Sequence, residues 1–117
     1  MCLAVFTLLL SGNNLQAKNG ENLRLIAFPN PFSTDKNVLT IMEKTDHGVQ
    51  PFNAIASVNI YNYVGKRVFS KQYHGKITWS GFDAQGNRMA PGVYYVKILF
   101  HHHDGGINTQ WYTVAIK

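Results

Sequence analysis

The stretch "TWSGFDAQGNRMAPGVYYVKI", Thr78 to Ile98, decides the fold, because it joins two turns directly to an apolar strand. Asp83 and Gly86 predict a tight reversal, in which the carboxylate caps backbone N–H groups and the glycine adopts positive φ. The Pro-Gly pair that follows predicts a second turn. From Val93 to Phe100 every second residue is apolar, so one side of this strand is predicted to face a core.

The rest of the chain repeats this pattern on both sides of the quoted stretch. Short alternating runs are separated by turn residues roughly every ten positions, and no stretch of helical length carries an apolar stripe. The sequence therefore predicts an all-β protein, an immunoglobulin-like antiparallel β-sandwich of seven strands. The predicted strands lie in residues 23–28, 37–44, 55–65, 66–73, 77–81, 93–100 and 111–117.

The first 22 residues are set apart from the predicted domain. "CLAVFTLLL" (Cys2–Leu10) is an apolar run of nine residues, too short to span a bilayer. It has the length of a signal-peptide apolar region, but no Lys or Arg precedes it, and a buried strand is the alternative. Residues 11–22 have the Gly- and Asn-rich composition of a linker. We expect an apolar strand or signal-like segment plus linker in residues 1–22 and one domain in residues 23–117.

Composition excludes several function classes. The 117 residues carry a formal net charge of +5, but the cations are spread along the chain without a basic run, so no nucleic-acid partner is predicted. The single cysteine, Cys2, rules out a disulfide within the chain and a cysteine-based zinc site. The chain has no Gly-x-Ser-x-Gly elbow and no phosphate-binding glycine pattern. We therefore expect no enzymatic activity and no cofactor.

The run His101–His103, followed by Asp104, is the one candidate for a metal site. On a strand, His101 and His103 would share a face. A zinc site needs three or four converging ligands on a rigid frame, and a hairpin tip offers fewer. The sequence therefore predicts a solvated tip without a metal.

Four segments, in their order and spacing, resemble a known family. They are "FPNPF" (Phe28–Phe32), "VNIYNYVGKRV" (Val58–Val68), "ITWSGFDAQGNRMAPGVYYVKI" (Ile77–Ile98) and "YTVAIK" (Tyr112–Lys117). Together they resemble the immunoglobulin-like sorting domain of type IX secretion in Bacteroidota-type bacteria. A closely similar module is the immunoglobulin-like domain of the flagellar hook-capping protein. The resemblance covers about Leu25 to Lys117.

The resemblance assigns the family's motif, and with it the expected recognition residues, to twelve positions. This sequence departs from the family pattern at Ser80, where the hook-cap-like form usually has an acidic or similar residue, and at the "HHHDGG" tip. The matched residues are Asn30, Pro31, Tyr61, Gly65, Trp79, Gly81, Asp83, Gly86, Gly92, Tyr94, Ile116 and Lys117.

The resemblance implies a non-catalytic sorting or anchoring module at the C-terminus of a secreted bacterial protein. Its expected partner is the outer-membrane secretion machinery, which would move a cargo domain, missing from this chain, through the periplasm to the cell surface. The chain is expected to have no stable membrane span.

Two alternatives to the sorting function stay open. One is a hook-cap-like structural module that works by protein–protein contact. The other is a carbohydrate-binding β-sandwich, in which Tyr61, Tyr95 and Trp111 face outward. Trp79 and Tyr94 are expected in the core in every case.

Overall fold

The computed structural model describes residues 23–117, and the prediction for residues 1–22 lies outside them. The described chain is all-β and forms two sheets. Its strands are β1 (Leu25–Phe28), β2 (Leu39–Thr45), β3 (Gly48–Gln50), β4 (Ala54–Tyr61), β5 (Arg67–His74), β6 (Ile77–Trp79), β7 (Gly92–His102) and β8 (Ile107–Ile116). Among residues 23–117 there is no helix long and apolar enough to cross a membrane.

Sheet 1 is built around β2, which pairs antiparallel with β1, β3 and β6. Strand β1 pairs with one side of β2. On the other side, the first half of β2 pairs with β6, with Leu39 opposite Trp79, and the second half pairs with β3. Strand β3 lies in a segment predicted to be a loop, so the described residues form eight strands where the sequence predicted seven. All three residues of β3 are exposed, and a strand that buries nothing leaves no apolar alternation to detect.

Sheet 2 has the strand order β5-β4-β7-β8, with every pair antiparallel. The hairpin of β7 and β8 is longer than predicted, because its strands continue past Phe100 up to a four-residue turn. There the N–H of His102 donates to the carbonyl of Gly106 at 2.8 Å, and Asp104 caps the Gly106 N–H. The three histidines therefore lie at the end of a strand and in its turn.

The core fills the space between the two sheets and follows the predicted alternation. From sheet 2 it takes Ala54, Ala56, Val58 and Ile60 of β4 and Tyr94, Val96, Ile98 and Phe100 of β7, all of them buried. Sheet 1 contributes Leu39, Ile41, Ile77 and Trp79. Burying one such aliphatic side chain contributes about 1.5–3 kcal/mol, so this shared interior, without a disulfide, holds the sheets together.

A tyrosine ties the two sheets at one edge. Tyr73 of β5 packs against the core, and its hydroxyl donates a hydrogen bond to the carbonyl of Thr78 in β6. Burial, as the main cause, raises the pKa of Tyr73 to about 12, because the ionised phenolate is poorly solvated there.

Candidate functional site

The structure places the twelve matched residues in three regions of the sandwich, of which the first two adjoin where Gly92 pairs with Ile116. The first region is the aromatic end of the core, the second is the end of β8, and the third is the hairpin of β4 and β5. They are, in that order, Trp79, Gly81, Asp83, Gly86, Gly92 and Tyr94; then Asn30, Pro31, Ile116 and Lys117; then Tyr61 and Gly65.

The aromatic end of the core is a cluster around Trp79. The Trp79 ring contacts those of Phe32, Tyr94 and Phe69, with ring centroids 5.8, 5.5 and 6.2 Å apart. The indole N–H donates to the carbonyl of Phe82 at 2.9 Å, and the Tyr94 hydroxyl donates to the carbonyl of Ala90 at 2.7 Å. Each polar tip is therefore satisfied by the turn that precedes β7, as buried Trp and Tyr require. Trp79 and Tyr94 are in the core, as predicted.

The loop before β7 is shaped by Gly81 and Asp83. Gly81 has φ +87°, and a Cβ there would lie 2.3 Å from Cγ2 of Thr34, so only glycine fits. The Asp83 carboxylate accepts the N–H groups of Gln85 and Asn87 at 2.9 and 2.8 Å. These bonds lower the pKa of Asp83, and the bond from the Asn87 N–H has the largest effect. Hydrogen bonds to the carboxylate favour its charged form. The motif residues of this loop build the turn that the sequence predicts.

The second region is a clamp on the end of β8, formed by Asn30 and Phe32 and here called the terminal-strand clamp. The Asn30 side chain accepts the N–H of Ala115 at 3.0 Å and donates to the carbonyl of Thr113 at 3.4 Å. The Phe32 backbone pairs in parallel with β8. Its N–H donates to the Ala115 carbonyl at 3.0 Å, and its carbonyl accepts the Lys117 N–H at 2.9 Å. Asn30 and Ala115 are 85 positions apart in the sequence. The "PNP" segment and the final residues therefore form one structural unit.

The third region opens onto the outer face of sheet 2. Gly65 turns the β4–β5 hairpin, where the Asn62 side chain accepts the N–H groups of Val64 and Lys66 at 3.1 and 2.9 Å. The ring of Tyr61 lies 5.8 Å from that of Trp111, centroid to centroid. We define the outer face of sheet 2 by eight side chains of β4, β7 and β8 that point away from the core. They are Ile55, Tyr61, Val93, Tyr95, Lys97, Leu99, Ile107 and Trp111.

This outer face combines exposed rings with positive charge. Nζ of Lys97 lies 5.7 Å from the centroid of the Trp111 ring, within the range of a cation–π contact. Arg67 at the end of β5 donates to Oδ1 of Asn59 at 3.3 Å. The face can therefore bind a partner through stacking, apolar contact and cationic groups.

An open cleft of about 520 Å³ borders this face, between the β4–β5 turn and residues 83–94. Its lining includes Arg67, Ser70 and Met89. The carboxylate of Asp83, which also lines it, is already bonded to backbone N–H groups of its own turn. The cleft thus presents cationic and apolar groups beside the outer face.

The histidines of the tip point in different directions. Nε2 of His102 lies 2.6 Å from Oδ1 of Asn108, between the sheets. His101 pairs with Ile107 on the outer side, and His103 is exposed in the turn. Within residues 23–117, no three His, Cys, Asp or Glu side chains converge to hold a metal ion.

A polar network at the end of the core opposite Trp79 was not predicted. The Asn108 amide donates to Gln110 at 3.3 Å, and the Gln110 amide donates to the carbonyl of Leu23 at 2.8 Å. Nearby Glu43 has a raised pKa, mainly because it is partly buried. Asn108 and Gln110 fall at every second position before the buried Val114 and Ile116 of the same strand, and this shared alternation is the feature that marks them as inward-facing.

Comparison with known proteins identifies a family and a fold. The family model of the CHU_C type IX secretion signal domain matches residues 26–114. No curated protein sequence matches the chain. One similar solved structure is that of PorZ, a bacterial surface component of the type IX secretion system of Porphyromonas gingivalis, with a TM-score of 0.54 and 23% identity over 80% of this chain. The aligned part is only 11% of the PorZ chain.

A second similar structure is CopC from Methylosinus trichosporium OB3b, with a TM-score of 0.53 and 20% identity. The match covers 82% of this chain and 94% of CopC. At these identities, both solved structures support the sandwich fold alone.

Proposed function

Since this chain belongs to the family of type IX secretion signal domains, we propose that it is a non-catalytic sorting module whose folded surface the secretion machinery recognises. Membership of the family implies a secreted or cell-surface protein that is exported across the outer membrane. The finer route, through the periplasm and with a separate cargo domain, is part of the proposal.

The observation that carries the proposal is the extent of the family match. Residues 26–114 include all eight described strands except the first residue of β1 and the last residues of β8. The match therefore describes the folded sandwich as a whole and not an isolated peptide motif. A signal of this kind is presented by a surface, so its integrity depends on the core.

We also propose that the sandwich is immunoglobulin-like. Two antiparallel sheets face each other, and the second has the order β5-β4-β7-β8, in which β4 pairs with both β5 and β7. Strand β6, which lies between β5 and β7 in the chain, pairs instead with β2 of the first sheet. Such crossovers between the sheets are typical of immunoglobulin-like topologies. The three-residue strand β3 is then a local addition to a seven-stranded plan.

The twelve matched residues have distinct proposed roles within this module. Most of them shape turns, fill the aromatic end or fasten β8, so they would act by preserving the recognised surface. Tyr61 is different, because its ring belongs to the outer face of sheet 2. Their part in recognition remains a prediction that export of variants can test.

The test is an export assay with the full 117-residue chain. The chain is joined behind a fluorescent protein that carries its own periplasmic targeting signal, in a host with a working type IX system and in a translocon-null strain. Surface fluorescence only in the first strain is the expected result. Retention of the reporter in the periplasm of both strains would contradict the proposal.

Two other candidate functions are supported by the exposed aromatic face. A structural module of the hook-cap-like kind would use it for protein contact, and a carbohydrate-binding sandwich would stack sugars on it. Loss of assembly with normal export would favour the structural module. Glycan binding that falls in Tyr95→Ala or Trp111→Ala would favour the carbohydrate-binding function.

A further inference from the structure

We propose that the outer face of sheet 2 is a docking surface for an acidic, partly apolar protein surface of the secretion machinery. This inference rests on the proposed sorting function and locates it on one face. Five of the ten exposed large apolar side chains of residues 23–117 lie there: Ile55, Val93, Tyr95, Ile107 and Trp111. Monomeric proteins rarely leave apolar side chains so concentrated on one flat face without a use for them.

The centre of the face is organised before any partner binds. Tyr61 and Tyr95 face each other on β4 and β7, and Lys97 faces Trp111 on β7 and β8. The Tyr61 and Trp111 rings approach to 5.8 Å across the intervening strand. Trp111 remains 58% exposed in this arrangement. Large, fixed, half-exposed rings at the centre of a surface are the usual anchors of protein interfaces.

Charge indicates the chemistry of the partner. Two permanent cations, Arg67 and Lys97, belong to the outer face, whereas Lys71 pairs with the buried Val58 and lies on the other side of β5. The four strands of sheet 2 contain no Asp or Glu. The five acids of residues 23–117 lie in sheet 1 or in turns and loops: Asp35, Glu43, Asp46, Asp83 and Asp104. A partner surface with carboxylates would therefore meet attraction without repulsion on this face.

The aliphatic residues of the face favour a protein over a polysaccharide. Ile55 and Ile107 flank His101 in one row across the sheet, with Leu99 in the next row, and Val93 lies at the opposite end of β7. Sugar rings stack on flat aromatic faces, whereas branched aliphatic side chains complement the apolar side chains of another protein. The rings and the aliphatic groups are spread along β7 from Val93 to His101, a distance of roughly 26 Å. A single protein surface of that length is long enough to contact all of them.

The experiment uses the export assay with the full chain and paired variants. The face variants are Trp111→Ala, Tyr95→Ala and Lys97→Glu. Their matched controls are Tyr63→Ala, a more exposed aromatic at the neighbouring cleft, and Lys44→Glu, an exposed cation in sheet 1. Circular dichroism and a thermal melt confirm that each variant is folded. We expect the face variants to lower translocon-dependent surface fluorescence about tenfold or more and the controls to leave it near the wild-type level.

Each other outcome overturns the inference in a distinguishable way. Normal export of the folded face variants would remove the face from recognition and leave the sorting function intact. Failure of the wild-type chain itself would overturn the sorting function. A dimer of the purified chain in sedimentation, abolished by Trp111→Ala, would assign the face to a second copy. Binding of polygalacturonate, an acidic polysaccharide probe, that Trp111→Ala abolishes would assign it to a glycan.

Discussion

The two tryptophans of the described domain lie in opposite surroundings. Trp79 is 2% exposed, touches three other rings and donates its N–H to Phe82. Trp111 is mostly exposed on the outer face of sheet 2, beside one ring and one ammonium group. The same side chain thus closes the core at one place and is offered to solvent at the other.

This difference distinguishes residues that maintain the fold beneath the surface from residues whose own side chains form the surface. Around Trp79, every neighbouring motif residue serves a turn or a contact of the fold. Around Trp111, the neighbours contribute little to the core and remain available to a partner. Variants near Trp79 should therefore lower stability first, whereas variants near Trp111 should lower recognition with stability retained.

The largest expected effect comes from exchanging each tryptophan for alanine. Trp79→Ala removes the centre of the aromatic end, and we expect it to lower the free energy of unfolding by about 3–5 kcal/mol. Trp111→Ala should cost only about 1–2 kcal/mol, because more than half of this side chain is already in water. Urea denaturation followed by circular dichroism measures both. Similar losses in the two variants would contradict the contrast between the two regions.

Gly81 tests the same end of the molecule through the backbone. Gly81→Ala should lower the free energy of unfolding by about 2–4 kcal/mol, since it combines positive φ with a clash against Thr34. Gly86→Ala is the matched control, because its φ is +86° and nothing lies within 4 Å of the added Cβ. We expect about 1–2 kcal/mol there. Thermal melts compare the pair, and an equal loss would mean that the Thr34 contact adds no cost.

Asn30 tests the terminal-strand clamp, which lies between the two regions. Asn30→Ala removes the side-chain bonds to Ala115 and Thr113, and we expect a loss of about 0.5–1.5 kcal/mol. The amide of Ala115 should exchange with solvent faster, which hydrogen-exchange NMR detects. Asn53→Ala, an exposed loop residue, is the control. Unchanged protection of the Ala115 amide would contradict the role of the Asn30 side chain in the clamp.

The last expected effect is absent at neutral pH and concerns Tyr73 in alkaline solution. Its pKa is about 12 in the folded domain, above the value of about 10 for an unfolded tyrosine. The stabilisation is therefore complete below about pH 10 and is lost as the pH rises through 12. Melting temperatures between about pH 9 and 12 should fall more steeply in the wild type than in Tyr73→Phe. Parallel slopes in the two proteins would contradict this assignment.

The sequence predicted the residues whose role is written in local patterns. Alternation placed Val96 and Ile98 inward, and the turn chemistry of Asp83 and Gly86 was recognisable from residue type and spacing. Family resemblance then identified the family, which the match over residues 26–114 confirms. These features need only neighbours along the chain, or a known pattern, to be identified.

The missed features depend on contacts between distant parts of the chain. Nothing local shows that the Asn30 side chain binds the backbone of Ala115, or that Gln110 binds Leu23. Strand β3 is exposed along its length and depends on pairing with β2. Tyr61 and Trp111 were predicted to face outward, but their contact with each other requires the register of three strands.

The hydrogen bonds that β8 makes on both of its sides have a consequence for biosynthesis. Translation runs from the N-terminus, so β8 leaves the ribosome after the other seven described strands. Until then β7 has a neighbouring strand on one side only, and Asn30 and Phe32 have no strand to hold. Nascent chains stalled before Ile107 should therefore stay sensitive to protease, whereas chains released after Lys117 should resist it. Only proteins translated through the end of β8 would then carry a folded export signal.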